Sequence, residues 1–318
     1  MWRDRSVLVI GGLGFIGLNL TRKLAALGAR PTVLARTRSG EADALERDGV
    51  AVLVGDLRDM TATAAAVAGQ QVVFNLSGQS GAVSSMEDPW TDLDVNCRGN
   101  LVLLEALRAG NREAKVVFAG SRLQYGHPDS VPVAEDAPQR PLCVHAVHKS
   151  AVEEYLGLYE RLFGLRHTTA RITNPYGPGQ PAGRTTYGVI NRMIHLALTD
   201  QPIPIYGDGA QLRDYVHVDD LVDALVVLAA SPAADGRAFN VGSGTGTSLV
   251  DMASVVIALA GGGRIEHVAW PSLAAQIETG DFIADISRIR NELGWTPAIS
   301  LQQGLADFIS HQRAAPRS

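Results

Sequence analysis

A glycine-rich segment near the start of the chain constrains its fold more than any other feature. Residues 7–10 form a short apolar run, residues 15–27 have a helical pattern, and the glycines of the segment are Gly11, Gly12, Gly14 and Gly17. Glycines in this context permit a tight turn and a close approach of the backbone to a pyrophosphate, and the helix N-terminus offers free N–H groups to the phosphates. Because the motif closes a strand and opens a helix, it predicts a dinucleotide-binding unit.

The first half of the chain continues the alternation of strand and helix that this unit begins. Further apolar runs lie at residues 32–34, 51–54, 72–74, 116–119 and 168–172, and helical stretches lie near 61–68, 90–109 and 146–162. Short apolar runs between amphipathic helices are typical of strands buried on both faces of a parallel sheet. We therefore predict an α/β fold, with a Rossmann-type doubly wound parallel sheet over residues 1–173 to which parts of 212–242 return. Residues 174–318 are predicted to form a smaller C-terminal α/β part, mainly substrate-binding, that ends in a helix near 300–313.

Composition excludes several other classes of protein. The chain is 46% hydrophobic, which argues against disorder, and it has only two cysteines, Cys97 and Cys143, too few for a disulfide scaffold. A net charge of −5 argues against nucleic acid as a partner. No apolar segment approaches the ~20 residues needed to span a bilayer. The first residues run directly into a strand-like segment, so we expect no signal peptide, no membrane partner and a cytoplasmic location.

The end of the second apolar run bears on which dinucleotide is bound. The acidic residue expected ~20 residues after the glycines, where it would bind the ribose hydroxyls, is missing, and Ala35, Arg36, Thr37 and Arg38 stand there instead. A guanidinium could pair with a 2′-phosphate that a carboxylate would repel. Either NAD or NADP is compatible with the sequence, and Ala35 and Arg36 slightly favour NADP. The alternative is that Arg36 and Arg38 are ordinary solvated surface residues.

Motifs spread over nearly the whole chain point to one family. They are Gly11, Gly14 and Gly17 as GxxGxxG, the turn at 55–57, the loop at 75–78, and the segments 94–96, 118–121, 124–126, 171–178, 213–220 and 240–242. Together they resemble the extended short-chain dehydrogenase/reductase family, specifically its NAD(P)-dependent nucleotide-sugar epimerases and dehydratases. The resemblance implies a homodimer through the helices near 90–109 and 146–162. It also implies that the cofactor contacts, besides Arg36, are Gly11, Gly14, Phe15, Ile16, Gly17, Asp56, Leu57, Leu76, Ser77, Gly78, Asn96 and Lys149.

The catalytic positions depart from the family pattern at one residue. The family uses the tyrosine of a YxxxK pair with a nearby Ser or Thr, and here Lys149 and Ser121 fit while His145 occupies the tyrosine position. The spacing of four residues places His145 and Lys149 on one helical face. Imidazole exchanges a proton near neutral pH, and a neighbouring lysine would favour its neutral form. Tyr125 is an alternative base, and a further alternative is that the base has been lost or the chemistry altered.

On the substrate side, the resemblance implies that Asn174 and Arg213 contact a nucleotide diphosphate. The alternative for Arg213 is a purely structural role, in an ion pair with Asp214 or Asp219. A second phosphate-binding arginine of the family is replaced by Glu278, which would repel a diphosphate; the arginines that could compensate are Arg184, Arg192 and Arg288.

The cluster of Cys143, His145 and His148 does not predict a metal site, because it lacks the fourth ligand that a structural site needs.

These features lead to one hypothesis about function. A dehydratase of the family carries an Asp-Glu pair after the active-site Ser or Thr, whereas Arg122 and Leu123 follow Ser121 here. We therefore expect an NAD(P)-dependent epimerase that acts on a nucleotide-activated sugar through a transient keto-sugar and reversible hydride transfer. The alternatives are an NADPH-dependent keto-sugar reductase and a catalytically altered protein that binds the cofactor as a sensor.

Overall fold

The computed structural model describes residues 2–79, 81–180 and 188–314 and has α/β architecture. In chain order its strands are β1 (Ser6–Ile10), β2 (Arg30–Ala35), β3 (Ala51–Val54), β4 (Val72–Asn75), β5 (Lys115–Ser121), β6 (His167–Ile172), β7 (Asn174–Tyr176), β8 (Pro202–Tyr206), β9 (Leu212–His217), β10 (Arg237–Val241), β11 (Gly246–Ser248) and β12 (Arg264–Val268). Its α-helices are α1 (Phe15–Ala26), α2 (Gly40–Arg47), α3 (Met60–Val67), α4 (Ala82–Glu87), α5 (Pro89–Leu93), α6 (Gly99–Gly110), α7 (Val144–Phe163), α8 (Val189–Leu198), α9 (Val218–Ala230), α10 (Leu249–Ala260), α11 (Ser272–Gln276), α12 (Ser287–Leu293) and α13 (Leu301–Ala314). None of these helices is long and apolar enough to cross a membrane.

Seven of the strands form one parallel sheet in the order β3-β2-β1-β4-β5-β6-β10. The first six follow the strand order of the Rossmann fold, so the predicted doubly wound parallel sheet is confirmed. The direction of winding reverses between β1 and β4, and ligands of such sheets bind in the crevice at the carboxyl ends of the strands next to this point. The glycine-rich segment, which directly follows β1, lies at that crevice.

The continuous apolar runs of the sequence are explained by helices on both faces of the sheet. Val7 and Val9 of β1 contribute to a core that also contains apolar residues of α1 and α9. Leu8 and Ile10 point to the opposite face and contribute to a second core with residues of α6 and α7. Because successive side chains of a strand alternate between the faces, a strand covered on both sides needs an apolar residue at every position.

The helical stretch predicted over 90–109 is interrupted. The structure divides it into α5, a π-helical turn over Asp94–Arg98, and α6. Pro89 stands in the first turn of α5, where its missing N–H is tolerated. The π turn places Asn96 in the interior of the protein. A π turn within a helix often marks a functional site.

The second half of the chain divides its elements between two regions. β10 joins the large sheet beside β6, and α9 packs against the same sheet. β9 lies between antiparallel β11 and parallel β7, and β8 pairs with β12 in a separate two-stranded sheet. A third core of apolar residues from α8, α10 and α13 supports these two small sheets.

Candidate active site

The glycine-rich turn after β1 is shaped so that side chains are excluded from it. Gly11 has a φ of +79°, and a Cβ on Gly17 would lie 2.2 Å from the carbonyl oxygen of Gly11. Gly14 is exposed, with φ −79° and ψ 173°, and a Cβ there would meet only the Gly11 oxygen, at 3.2 Å. No side chain caps α1, and its first turn has no acidic residue. The turn therefore leaves backbone N–H groups and open space for an anion.

The two arginines after β2 have different surroundings. Arg38 donates hydrogen bonds to Asp43 at 2.7 and 3.0 Å and pairs with Glu46, so its charge is already matched on α2. Arg36 is exposed and has no hydrogen bond or ion pair within the described ranges. Asp56 accepts hydrogen bonds from the guanidinium of Arg58, and these lower the pKa of Asp56 to about 2. The charge of Arg36 also lowers this pKa, whereas burial raises it. Arg36 thus remains available to a ligand.

Gly78 in the loop after β4 lies close to the side chains of Asn96 and Lys149. A Cβ on Gly78 would lie 2.5 Å from Oδ1 of Asn96 and 3.6 Å from Nζ of Lys149. Asn96 is buried, donates through Nδ2 to the Gln79 carbonyl at 3.1 Å, and its Oδ1 has no hydrogen-bond partner among the described residues. The buried Oδ1 of Asn96, which lacks a hydrogen-bond partner among the described residues and lies beside Gly78 and Lys149, fits the binding of a polar ligand.

The other residues expected to contact the cofactor lie in the loop after β4 or in the two cores on either face of the large sheet. Ser77 donates through Oγ to Oδ1 of Asn75 at 2.6 Å, which fixes the loop beside β4. Leu57 is buried in the core that α6 and α7 share, whereas Phe15, Ile16 and Leu76 are partly buried against the core of α1 and α9. The residues present are therefore compatible with a dinucleotide lying across the carboxyl ends of β1 and β4.

The N-terminal turns of α7 carry His145 and Lys149 on one buried face. The backbone N–H of His145 donates to Oγ of Ser85 at 3.0 Å, which anchors the start of the helix. Lys149 donates through Nζ to the carbonyl oxygen of Ala119 on β5 at 2.8 Å. Burial lowers the pKa of Lys149 to about 8. Ser121 ends β5, and its Oγ accepts from the Leu123 N–H at 3.2 Å, which leaves the hydroxyl hydrogen to donate.

The electrostatic surroundings of His145 are set mainly by burial. Only 5% of the residue is exposed, and this burial lowers the pKa of the imidazole. Asp92 of α5 opposes that effect and the charge of Lys149 reinforces it. An imidazole with a lowered pKa is neutral at physiological pH and can accept a proton.

Asp92 is a site residue that the sequence motifs did not indicate. Its carboxylate is fully buried between two histidines, with Oδ1 2.6 Å from Nδ1 of His148 and Oδ2 3.6 Å from Nδ1 of His145. The sequence gives one indication of its role, since Asp92 lies four residues before Asn96 and therefore on the same face of the predicted helix. Spacing alone could not reveal the contact with His145 of α7, which lies 53 residues further along the chain.

Tyr125, the alternative base, lies in a different network. Its hydroxyl donates to Oδ1 of Asn240 at 2.7 Å and accepts from Nη1 of Arg171 at 2.8 Å. The side chain is fully buried, and burial raises the pKa of Tyr125 to about 12. A phenol with both of these partners and a raised pKa is poorly suited to accept a proton, so the structure does not favour Tyr125 as the base.

The residues expected to contact the substrate lie together beside β7 and β9. Arg213 donates to the carbonyl oxygen of Gly280 at 2.6 Å and pairs with Glu278, not with Asp214 or Asp219. The carboxylate at position 278 thus neutralises a neighbouring arginine. Asn174 donates through Nδ2 to the Asp214 carbonyl at 2.8 Å.

Arg122 is a second site residue that the sequence motifs did not indicate. It donates to Oδ1 of Asn174 at 3.2 Å and to Oγ1 of Thr279 at 2.9 Å. Both partners are neutral, so neither balances the charge of the guanidinium. Burial, reinforced by the charge of Arg213, lowers the pKa of Arg122 to about 10. Nearby, the hydroxyl of buried Tyr215 has no hydrogen-bond partner in the part of the chain described. Arg122 directly follows Ser121 and forms with Arg213 a cationic cluster that could bind a negatively charged group.

Three other arginines could compensate for the phosphate-binding arginine that Glu278 replaces, but those that the structure describes are not part of this cluster. Arg192 is exposed on α8, and Arg288 lies 3.4 Å from the carboxylate of Glu135. Arg184 lies outside the described residues. Within the described ranges, no group of three or more His, Cys, Asp or Glu side chains is placed to bind a metal ion.

Comparisons with known proteins extend over nearly the whole chain. A sequence model of the NAD dependent epimerase/dehydratase family matches residues 7–242. The chain is 35% identical over 313 residues to a UDP-glucose 4-epimerase of Mycolicibacterium smegmatis, with 96% of this chain and 98% of that protein covered.

Solved structures of two UDP-glucose 4-epimerases are similar to the chain in three dimensions. The structure with UDP-glucose from Thermotoga maritima has a TM-score of 0.88 and 28% identity, with 97% of this chain and 98% of that chain covered. The complex with NAD from Thermus thermophilus also has a TM-score of 0.88, with 29% identity and coverage of 98% and 100%. The similarity therefore includes both the large sheet and the smaller C-terminal part.

Proposed function

The chain belongs to the NAD dependent epimerase/dehydratase family, and from this premise we propose that it is an NAD-dependent 4-epimerase of a nucleotide sugar. The observation that carries the proposal is the arrangement of His145 and Lys149 on one buried face of α7. Lys149 on this face lies beside Gly78 and donates to the carbonyl oxygen of Ala119, two residues before the end of β5 at Ser121. A buried imidazole and a buried ammonium group thus lie on one helical face, next to the strand that ends at Ser121, and this supports the roles assigned below.

The roles of these side chains follow from the chemistry of the reaction. When bound, NAD would supply reversible hydride transfer at the sugar carbon, and the glycine-rich turn after β1 and the loop after β4 would hold it. We propose that His145 accepts the proton of the hydroxyl on that carbon, because the imidazole is buried and therefore neutral. Ser121 would donate its O–H to the reacting oxygen, and Lys149 would supply positive charge beside it. Arg213 and Asn174, with Arg122, would bind the nucleotide diphosphate.

Purified protein incubated with a panel of UDP- and dTDP-sugars tests this function. We expect one sugar nucleotide to be converted to its 4-epimer, detected by proton NMR, without net consumption of cofactor. Stoichiometric oxidation of NADPH with a keto-sugar substrate would instead identify a reductase. Binding of cofactor without conversion of any panel member would identify a sensor and contradict the proposal.

Arg36 provides a specific reason to compare NADP with NAD. Its guanidinium is exposed after β2 and is free of hydrogen bonds and ion pairs to described residues. If it binds the 2′-phosphate, Arg36→Ala should weaken NADP binding by about 1.5–3 kcal/mol, roughly 10- to 150-fold, and leave the affinity for NAD unchanged. Isothermal titration with both cofactors measures this. Arg38→Ala is the matched control, because Arg38 is already paired on α2, and equal losses for both cofactors in Arg36→Ala would reject the assignment.

We further propose that the chain forms a homodimer through α6 and α7. Val147, Leu158 and Leu162 are 48%, 40% and 63% exposed and recur at spacings that place them on one side of α7. Such a stripe on one helix fits a symmetric contact with a second copy. We expect twice the chain mass in light scattering, reduced to one chain in Leu158→Glu/Leu162→Glu. Val189→Glu, at an exposed apolar site on α8, should remain dimeric.

A further inference from the structure

Asp92 stands out among the buried charges of the molecule because it has a histidine on either side. One carboxylate oxygen has a close partner, Nδ1 of His148 at 2.6 Å. The other, Oδ2, faces Nδ1 of His145 at 3.6 Å, and neither of these two atoms has a hydrogen-bond partner among the described residues. Buried polar atoms almost always have a hydrogen-bond partner. These two atoms face each other, so each is the available hydrogen-bond partner of the other.

The geometry of this contact determines what it can do. At 3.6 Å the two atoms are slightly too far apart for a hydrogen bond, and a movement of a few tenths of an ångström would close it. An ionised carboxylate can only accept, so the partner nitrogen must carry the proton. With the proton at Nδ1, Nε2 of the neutral ring is the unprotonated nitrogen and therefore the basic one.

We propose that Asp92 is a positioning residue that selects the tautomer of His145 in which Nδ1 is protonated and Nε2 accepts the substrate proton. The inference rests on the proposed function for the identity of the substrate, but the pairing itself does not depend on it. Asp92 acts through His145 and does not touch the reacting atoms. A chain with imidazole at this position needs such a partner, because the imidazole has two nitrogens and only one tautomer presents a base at Nε2.

The charges around His145 fix the direction of the effect. Lys149 on the same helix disfavours the imidazolium, whereas Asp92 on α5 and the backbone carbonyl of Gln79 favour it. Asp92 itself is also contacted by His148 and lies near the buried thiols Cys97 and Cys143. Removing the Asp92 charge should therefore lower the affinity of His145 for its proton.

Nitrogen NMR of histidine-labelled protein tests the pairing directly. The chain has eight histidines, and the resonances of His145 are identified by their loss in His145→Gln. We expect the neutral ring of wild-type His145 to carry its proton on Nδ1. In Asp92→Asn we expect a mixture of tautomers and a His145 proton affinity lowered by at least about tenfold. His148→Ser retains the Asp92 charge, so the tautomer of His145 should be unchanged.

Several results would overturn the inference. One is a wild-type His145 protonated on Nε2, a measurement that needs no variant and so survives a failure of Asp92→Asn to fold. Others are a proton affinity unmoved in Asp92→Asn, or the same change of tautomer in His148→Ser as in Asp92→Asn. If the NMR results hold but no sugar nucleotide is epimerised, the proposed function fails while the pairing stands.

The kinetic consequence follows once a substrate is known. Asp92→Asn should lower kcat by at least about tenfold with little change in KM, since the loss affects the proton transfer and not the binding of the sugar. The acid limb of its pH profile should move to lower pH. A purely structural carboxylate would reduce stability without moving this limb.

Discussion

Replacing His145 by alanine is expected to lower kcat by roughly 10²–10⁴-fold, the usual contribution of a positioned proton-transfer group. The binding of NAD should survive, because the glycine-rich turn and the loop at Gly78 belong to other elements of the chain. Single-turnover rates with the substrate found in the panel measure the loss of activity, and titration calorimetry measures cofactor binding. A reduced single-turnover rate with unchanged affinity for NAD would show that His145 takes part in the chemistry and not in cofactor binding.

The pH dependence of the wild-type rate provides a second measurement of the same hypothesis. His145 must be neutral to accept a proton, so activity should fall as the pH drops through its pKa. Burial and Lys149 lower that pKa, so the acid limb should lie below the ordinary histidine value of about 6.5. Burial also lowers the pKa of Lys149 to about 8, so an alkaline limb should begin near that pH if its positive charge is required.

A conservative variant strengthens the test of His145. His145→Tyr supplies the family's usual base at the same position, and it should retain or restore activity with an acid limb different from that of imidazole. Near-wild-type turnover in His145→Ala would contradict the assignment. The search would then move to a bound water or to Tyr125, although Tyr125 is already bonded to Asn240 and Arg171.

Features that depend on the local spacing of residues could be predicted from the sequence. The turn after β1 could be predicted because its glycines, the preceding strand and the following helix are contiguous. The faces of the strands could also be predicted, since a run such as residues 7–10 is apolar at every position only when both sides of a sheet are covered. The resemblance to the extended short-chain dehydrogenase/reductase family is confirmed by the family match over residues 7–242.

The predictions were weakest for contacts between side chains that are distant in sequence. Glu278 was expected to repel a diphosphate, but it pairs with Arg213, 65 residues earlier, so its charge does not act alone. Asp92 meets His145 only because α5 packs against α7. The sequence pattern also predicted one helix over 90–109, because the period of 3.6 residues does not record a π turn.

The largest effect on cofactor binding is expected from Gly14→Val. Gly14 is exposed and has backbone angles that any residue adopts, and a Cβ there would meet only the Gly11 oxygen at 3.2 Å. The folded state should therefore be retained with a small adjustment, while the valine methyl groups occupy the space through which a pyrophosphate approaches the backbone. We expect binding of NAD and NADP to become undetectable by calorimetry with little change in Tm.

Two other glycines separate the effect on the ligand from the effect on the fold. Gly110→Val introduces the same side chain at an exposed glycine that has nothing within 4 Å of its Cβ position, so it should bind NAD normally. Gly17→Ala should instead destabilise the apo protein, because its Cβ would lie 2.2 Å from the Gly11 carbonyl oxygen. Unchanged affinity for NAD in a folded Gly14→Val protein would show that the pyrophosphate does not cross this turn. That result would contradict the cofactor site on which the roles of His145, Lys149 and Ser121 depend.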